Sequence, residues 1–138
     1  MICVIRIRGR VNVDKKVEET LSRLRLRRKF SCIVINPNKE QMGMIKKMRN
    51  FVAFGEISKT TFEKLIEKRG QILDKKKKVD AKKIADEIEK GKKYSDLNLK
   101  SFFRLHPPRG GIKSKTHFPK GVLGNHGEKI NKLIERML

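Results

Sequence analysis

The sequence predicts a mixed α+β fold, and three observations carry that prediction. Three short β-branched runs, ICVIRIR (2–8), FSCIVI (30–35) and FVAFGEI (51–57), read as strands. Between them lie two stretches with apolar residues at helical spacing, each opened by a residue able to cap a helix. Beyond residue 58 the strand pattern gives way to amphipathic segments and one long irregular stretch. The sum is a βαβαβ core in fewer than sixty residues with a mostly helical and irregular C-terminal extension.

In the first strand Arg6 and Arg8 alternate with isoleucines, and Arg10 follows in a loop. Asp14 caps the first helix, Glu18 and Glu19 suit its positive end, and Val17, Leu21 and Leu24 form its apolar face. Arg25, Arg27, Arg28 and Lys29 crowd the opposite end, where cations complement the helix dipole. The second strand stops at Asn36-Pro37-Asn38. Asn38 caps the second helix, with Gln41 completing a capping box and Met42, Ile45 and Met48 facing inward. Two helices are thus available to cover one face of a three-stranded sheet. A domain this small buries little surface, so the remaining eighty residues or a partner must contribute to its stability.

The second half is organised differently. Thr60 and Glu63 read as a capping box for a helix running through Phe62, Leu65 and Ile66 to Gly70. DKKKK (74–78) is a charged connector, and Asp80 caps a helix with Ala81, Ile84, Ala85 and Ile88 inward and Gly91 at its end. SFFRL (101–105) reads as a short strand or as an anchor of two phenylalanines. Asn125 and Glu128 open a last helix with Ile130, Leu133, Ile134, Met137 and Leu138 on one face. The expected division is a core domain at 1–58, a helical extension at 59–93, and an irregular basic arm with a terminal helix at 94–138.

The net charge is +21, distributed as +9 over 1–58, +6 over 59–93 and +6 over 94–138. Solubility needs a net charge of only about 2 to 8 in a small domain. An excess of this size repels itself unless a polyanion neutralises it, and its spread points to several surfaces meeting one large partner. There is no apolar run near the length that spans a membrane, and no cleavable signal is expected, since Met1-Ile2-Cys3-Val4-Ile5 leads straight into arginines. Cys3 and Cys32 sit in apolar runs without metal-ligand spacing, so a cytosolic protein with reduced, buried thiols is expected.

Residues 106–127, HPPRGGIKSKTHFPKGVLGNHG, hold all three histidines, three of four prolines and half of the ten glycines, with no acidic residue. His106, His117 and His126 are too far apart for ordinary zinc spacing, and the lysines around them repel a cation. GGIKSKT lacks the glycine that precedes the Lys-Ser pair of a P-loop, and GVLGNHG is not the dinucleotide fingerprint. The carboxylates lie mostly at helix starts, and neither cysteine has a histidine close in sequence, so nothing calls for acid–base or nucleophilic catalysis. A polyanion remains. Arg109, Lys113, Lys115, Lys120 and His117 line an extended segment whose glycines let backbone N–H groups approach phosphates. With Arg6, Arg8, Arg10, Arg25, Arg27, Arg28 and Lys29 they are the expected phosphate contacts. No recognition-helix, zinc-finger or basic-zipper pattern marks a DNA reader, and the aromatic platform of an RNA-recognition motif is missing. Binding of a folded RNA by shape and phosphates fits best. The alternatives are a free-standing RNA or DNA chaperone or chromatin protein and, from another class, an RNA-modifying enzyme using one of the histidines.

The stretch TLSRLRLRRKFSCIVINPNKEQMGMIKKMRNFVAFGEI (20–57) resembles the core of the large-subunit ribosomal protein thirty family, called protein seven in eukaryotes. The pattern rests on Thr20-Leu21, Leu24, Leu26, Arg28, Ser31, Ile33, Met44-Ile45 and Phe51-Val52, with Met48 departing slightly from a small aliphatic residue. RLHPPRGG (104–111) and HFPKGVLGNHG (117–127) look like the C-terminal extension of archaeal and eukaryotic members. The long basic N-terminal extension of the eukaryotic form is missing, so the archaeal branch is the nearest match. The resemblance implies a ferredoxin-like core with a three-stranded antiparallel sheet and two helices on one face. It implies a structural constituent of the cytoplasmic large ribosomal subunit, bound to large-subunit ribosomal RNA beside neighbouring ribosomal proteins, with the five-S RNA region as a further expected contact. It implies no catalytic role, no cofactor, no membrane and no small-molecule substrate.

Overall fold

Alternation along the first strand sets up the whole architecture. In the computed structural model, which describes residues 1–9, 13–36, 38–70, 80–91, 94, 99–112, 116, 118 and 120–138, β1 (Ile2–Arg6) is the central strand. It pairs antiparallel with β2 (Ser31–Ile35), Ile5 opposite Cys32, and with β3 (Val52–Glu56), Val4 opposite Phe54. Successive side chains point to opposite faces, so Val4, Ile33, Val52 and Phe54 fall on one face and Cys3, Ile5, Cys32, Val34 and Ala53 on the other.

The first face is closed by α1 (Lys15–Arg23) and α2 (Lys39–Lys47). Asp14 caps α1 by accepting from Lys16 N–H at 3.3 Å. The capping box of α2 is reciprocal: Gln41 N–H donates to Asn38 Oδ1 at 2.8 Å and Asn38 N–H to Gln41 Oε1 at 3.2 Å. Leu21, Leu24, Leu26, Ile45 and Met48 are buried beneath these helices. The expected βαβαβ core is therefore present.

The extension buries the second face. α3 (Lys59–Arg69), α4 (Ala81–Glu89) and α5 (Ile130–Met137) place Phe62, Leu65, Ile84, Ile88, Ile130 and Ile134 against Ile5, Ile7 and Val34. The stability that a three-stranded core lacks comes in this way from its own chain. α3 begins earlier than the sequence indicates. Ser58 is its N-cap, accepting from Thr61 N–H at 3.3 Å, because the chain leaves β3 in an extended conformation that Ser58 shares; Thr60 lies inside the helix. Asp80 caps α4 as expected, and Gly91, at φ +99°, takes the left-handed conformation just past its end. The DKKKK connector lies outside the described residues.

Two further strands correct the expected strand count from three to five. β4 (Phe103–Arg104) pairs antiparallel with β2, and β5 (Gly124–Asn125) pairs parallel with β3, in the order β4-β2-β1-β3-β5. A bare three-stranded sheet leaves two edges with unpaired N–H and C=O groups, and the extension supplies a short strand to each. The stretch 106–127 also contributes to packing, contrary to its composition, since Pro108, Val122, Leu123 and His126 are buried. The last helix is entered through a 3₁₀ turn, Gly127–Lys129, without a side-chain cap at the start of α5. Asn125 instead accepts from Gly127 N–H at 2.9 Å. Asn131 ties α5 to the sheet and to α3, accepting from Ser58 N–H at 2.8 Å and donating to Glu56 O at 3.3 Å.

Cys3 and Cys32 are neighbours on β1 and β2, both free and buried, with sulfurs 3.1 Å apart. Burial pushes the Cys3 thiol above its ordinary pKa, and the Cys32 thiol beside it adds to the effect. Tyr94 donates its hydroxyl to Val34 O at 2.5 Å and meets Phe103 edge-on at 6.1 Å.

Candidate nucleic-acid interface

The basic cluster after α1 is held in shape from beneath. Arg25 and Phe30 both take left-handed backbone, at φ +66° and +65°, so the chain turns sharply twice between α1 and β2. Leu26 is fully buried while Arg25, Arg27, Arg28 and Lys29 are exposed. Below the turn lies Arg6, which is 0% exposed. Its guanidinium donates to Leu26 O at 2.7 Å, Arg27 O at 3.2 Å, Arg8 O at 2.9 Å and Gly9 O at 3.3 Å, and pairs with Glu18 Oε2 at 3.2 Å. The expectation that Arg6 contacts phosphate is therefore corrected. Every donor direction faces a protein oxygen, and Arg6 acts as the internal brace of the turn that displays the other arginines.

Above that brace, the turn meets the extension. Arg25, Arg27 and Arg28 line a cavity of about 320 Å³ with Ser31, Phe102 and Arg104. The register places Arg104 beside Ser31, which brings it to the turn. Its guanidinium carbon lies 5.7 Å from the centre of the Phe102 ring. Lys29 sits 5.1 Å from the Phe30 ring and Arg8 5.9 Å from the Phe51 ring, so each of these cations also lies over an aromatic ring. Among the described residues no carboxylate lines the cavity. Four guanidinium groups line one hollow and repel one another, and a guanidinium is a planar fork of donors whose geometry suits phosphate oxygens. The sequence reading missed Arg104 and Phe102 as members of this site. The signal was the alternation in SFFRL, where Phe103 faces the core and Phe102 and Arg104 face the other way.

The second basic surface belongs to the arm. Arg109 is exposed, and its backbone is fastened to α5: Arg109 N–H donates to Arg136 O at 3.0 Å, while Arg136 Nε and Nη2 return to Arg109 O at 3.0 and 2.9 Å. Lys120 is exposed at the rim of a groove that Lys129, Lys132 and Arg136 also reach, three cations that the sequence reading did not select. Arg10, Lys113, Lys115 and His117 lie outside the described residues.

The two described histidines are structural. The ring nitrogens of His106 face Pro107 O and Leu138 O, both at 2.6 Å. His126 donates from Nε2 to Val122 O at 2.5 Å and stacks on Phe118 with ring centres 4.5 Å apart. Among the described residues no cluster of three or more His, Cys, Asp or Glu forms a metal site, and no helix is long and apolar enough to cross a membrane. Burial lowers the pKa of His126 below its ordinary 6.5, partly offset by the Val122 carbonyl. The unfolded chain then takes up a proton at a higher pH than the folded one. The contribution of His126 is complete above its unfolded pKa and is lost as pH falls through the folded value. A His126→Gln variant is accordingly expected to differ most from wild type in urea midpoint at pH 7.5, with the gap narrowing towards pH 5. A gap independent of pH would contradict this.

Comparison with known proteins agrees with this architecture. Residues 2–52 match the family described as Ribosomal protein L30p/L7e. Large ribosomal subunit protein uL30 of Archaeoglobus fulgidus is 40% identical over 151 aligned positions, covering 99% of this chain and 99% of the relative. The proteins of the same name from Pyrobaculum arsenaticum and Methanococcus vannielii are 38% and 39% identical, each covering 98% of this chain and 93% and 97% of the relative. Such identity along nearly the full length shows that the chain belongs to the uL30 family of large ribosomal subunit proteins, which are structural proteins and not enzymes.

Proposed function

We propose that this chain binds folded large-subunit ribosomal RNA and helps to hold its shape in the assembled, cytoplasmic large subunit. The observation that supports this most is the carboxylate-free cavity in which Arg25, Arg27 and Arg28 from the core meet Arg104 and Phe102 from the extension. Two distant parts of the chain build one surface that polyanion binding explains and core packing does not. On this reading residues 1–58 are the core that displays the arginine turn, 59–93 the helical extension that braces it, and 94–138 the basic arm. Arg8, Lys29, Arg109 and Lys120 extend the contact, with Arg10, Lys113, Lys115 and His117 as further contacts along the same chain. Neighbouring ribosomal proteins and the five-S RNA region complete the set of partners.

Counterion release sets the expected size. Neutralising about 8 phosphates gives a log–log salt slope near −6 to −7. Filter binding of the full chain to protein-free large-subunit ribosomal RNA across a salt series measures it. Replacing Arg104 by Gln, at an exposed position, is expected to reduce the slope by about 0.7 to 0.9 and to weaken binding similarly for all RNA sequences. A slope near zero would contradict the phosphate-dominated reading.

A further inference from the structure

We propose that the groove between the arm and α5 holds a single unstacked nucleotide of the bound RNA, an inference that rests on the RNA-binding reading above. The groove encloses about 470 Å³, within the range of sites that hold a small organic ligand. Its walls are mainly apolar, formed by Pro108, Ile112, Phe118, Val122 and Leu133. Its rim carries Lys120, Lys129, Lys132 and Arg136, and among the described residues no carboxylate reaches it. An apolar floor ringed by cations matches a flat, apolar-faced base joined to phosphates. A phosphate alone leaves the floor unused, and a neutral apolar group leaves the rim unused.

The walls are built rather than incidental. Arg136 Nη2 donates to Gly111 O at 2.7 Å and to Arg109 O at 2.9 Å, which pins residues 109–111 along one side. On the other side Phe118 N–H donates to Leu123 O at 2.8 Å and Leu123 N–H to Thr116 O at 3.1 Å. The Phe118 ring is steadied by His126 and by Lys129, whose Nζ lies 5.6 Å from the ring centre. Gly110 and Gly111 have φ of +82° and +74°, so the backbone bends around the groove as side-chain-bearing residues rarely do. RNA presents unstacked bases in loops and bulges, where aromatic and apolar surfaces receive them, whereas a paired stem offers only its backbone to such a groove. Favouring a nucleotide over an acidic peptide are the family of the chain and its charge of +21.

The test uses the full chain bound to protein-free large-subunit ribosomal RNA, irradiated with ultraviolet light and analysed by mass spectrometry. The expected result is a crosslink from Phe118 to one nucleotide position. Ile112→Asp, which sets a carboxylate against the nucleotide, is expected to abolish that crosslink and weaken binding by about tenfold, within the range for loss of one stacked base. Lys132→Glu lies on an exposed rim position and keeps the test independent of folding; it is expected to lose the same crosslink. Wild-type protein that binds the RNA without a groove crosslink, together with variants within twofold of wild type, would overturn the inference while leaving the RNA-binding reading intact. A crosslink from the groove to a neighbouring protein in whole subunits, with none to RNA, would overturn it as well. Absence of any RNA binding by the wild type would remove both readings at once.

Discussion

Replacing Arg6 by Met is expected to destabilise the protein by about 3 kcal/mol, although Arg6 is wholly buried beneath the turn. Loss of the ion pair is a small part of this. Glu18 is 31% exposed and can be rehydrated, and replacing a buried ion pair by apolar atoms is often nearly neutral. The larger part is the set of backbone carbonyls from two segments that one guanidinium satisfies, Leu26 O at 2.7 Å and Arg8 O at 2.9 Å foremost. Each buried acceptor left without a donor costs roughly 1 kcal/mol or more. In urea, with a slope near 2 kcal/mol per molar, the midpoint is expected to fall by about 1.5 M. Arg6→Lys keeps the charge but not the fork of donors and should recover only part of the loss. The folded variant should also bind RNA more weakly, because the turn that presents Arg25, Arg27 and Arg28 loses its brace. An unchanged midpoint would show that the turn holds its shape without Arg6.

Gly55→Val should have an effect of similar or greater size, and its sign separates two physical arguments. Strand propensity favours valine over glycine in the middle of β3. Packing opposes it: a Cβ at residue 55 stands 2.3 Å from Gly127 O and 2.9 Å from Ile130 Cβ. The obstacle is partly backbone, so no rotamer change relieves it, and the 3₁₀ turn with α5 must move off the sheet. Overpacking of this kind costs about 1 to 3 kcal/mol, and more when it exposes the apolar face of a helix such as α5. The melting temperature is expected to drop by about 10 °C in a chain of this length. A melting temperature equal to or above wild type would mean that the C-terminal segment is not seated on β3.

The core was legible because its signals are local. Strand alternation, the Asp14 cap and the Asn38–Gln41 box each depend on residues within four positions of one another, and the structure shows all of them. The apolar spacing of Ile130, Leu133, Ile134 and Met137 likewise foretold α5. What stayed hidden depends on distant pairing. The strand character of Gly124–Asn125 exists only because β3 offers an open edge, and glycine and asparagine are poor strand formers. Arg6 and Arg8 have the same parity in the sequence, yet one is buried and the other exposed, because Arg6 lies under the turn whereas Arg8 lies beyond the end of β1. Arg104 joins the arginine turn through its register with Ser31, a pairing across seventy-odd residues; the alternation in SFFRL tells which way Arg104 faces but not which segment it meets. Ser58 displaced Thr60 as the cap of α3 because the end of β3 set the start of the helix.

The central claim is that these basic surfaces serve one large structured RNA. Sedimentation of native lysate, before and after a wash at about 0.5 M salt, where charge contacts that act singly are largely screened, tests it most directly. The account predicts that the protein stays with the large subunit in stoichiometric amount through the wash, its many phosphate contacts acting together. Release at modest salt, with the protein spread over many RNAs or DNA, would contradict it and would make the charge of +21 a non-specific handle.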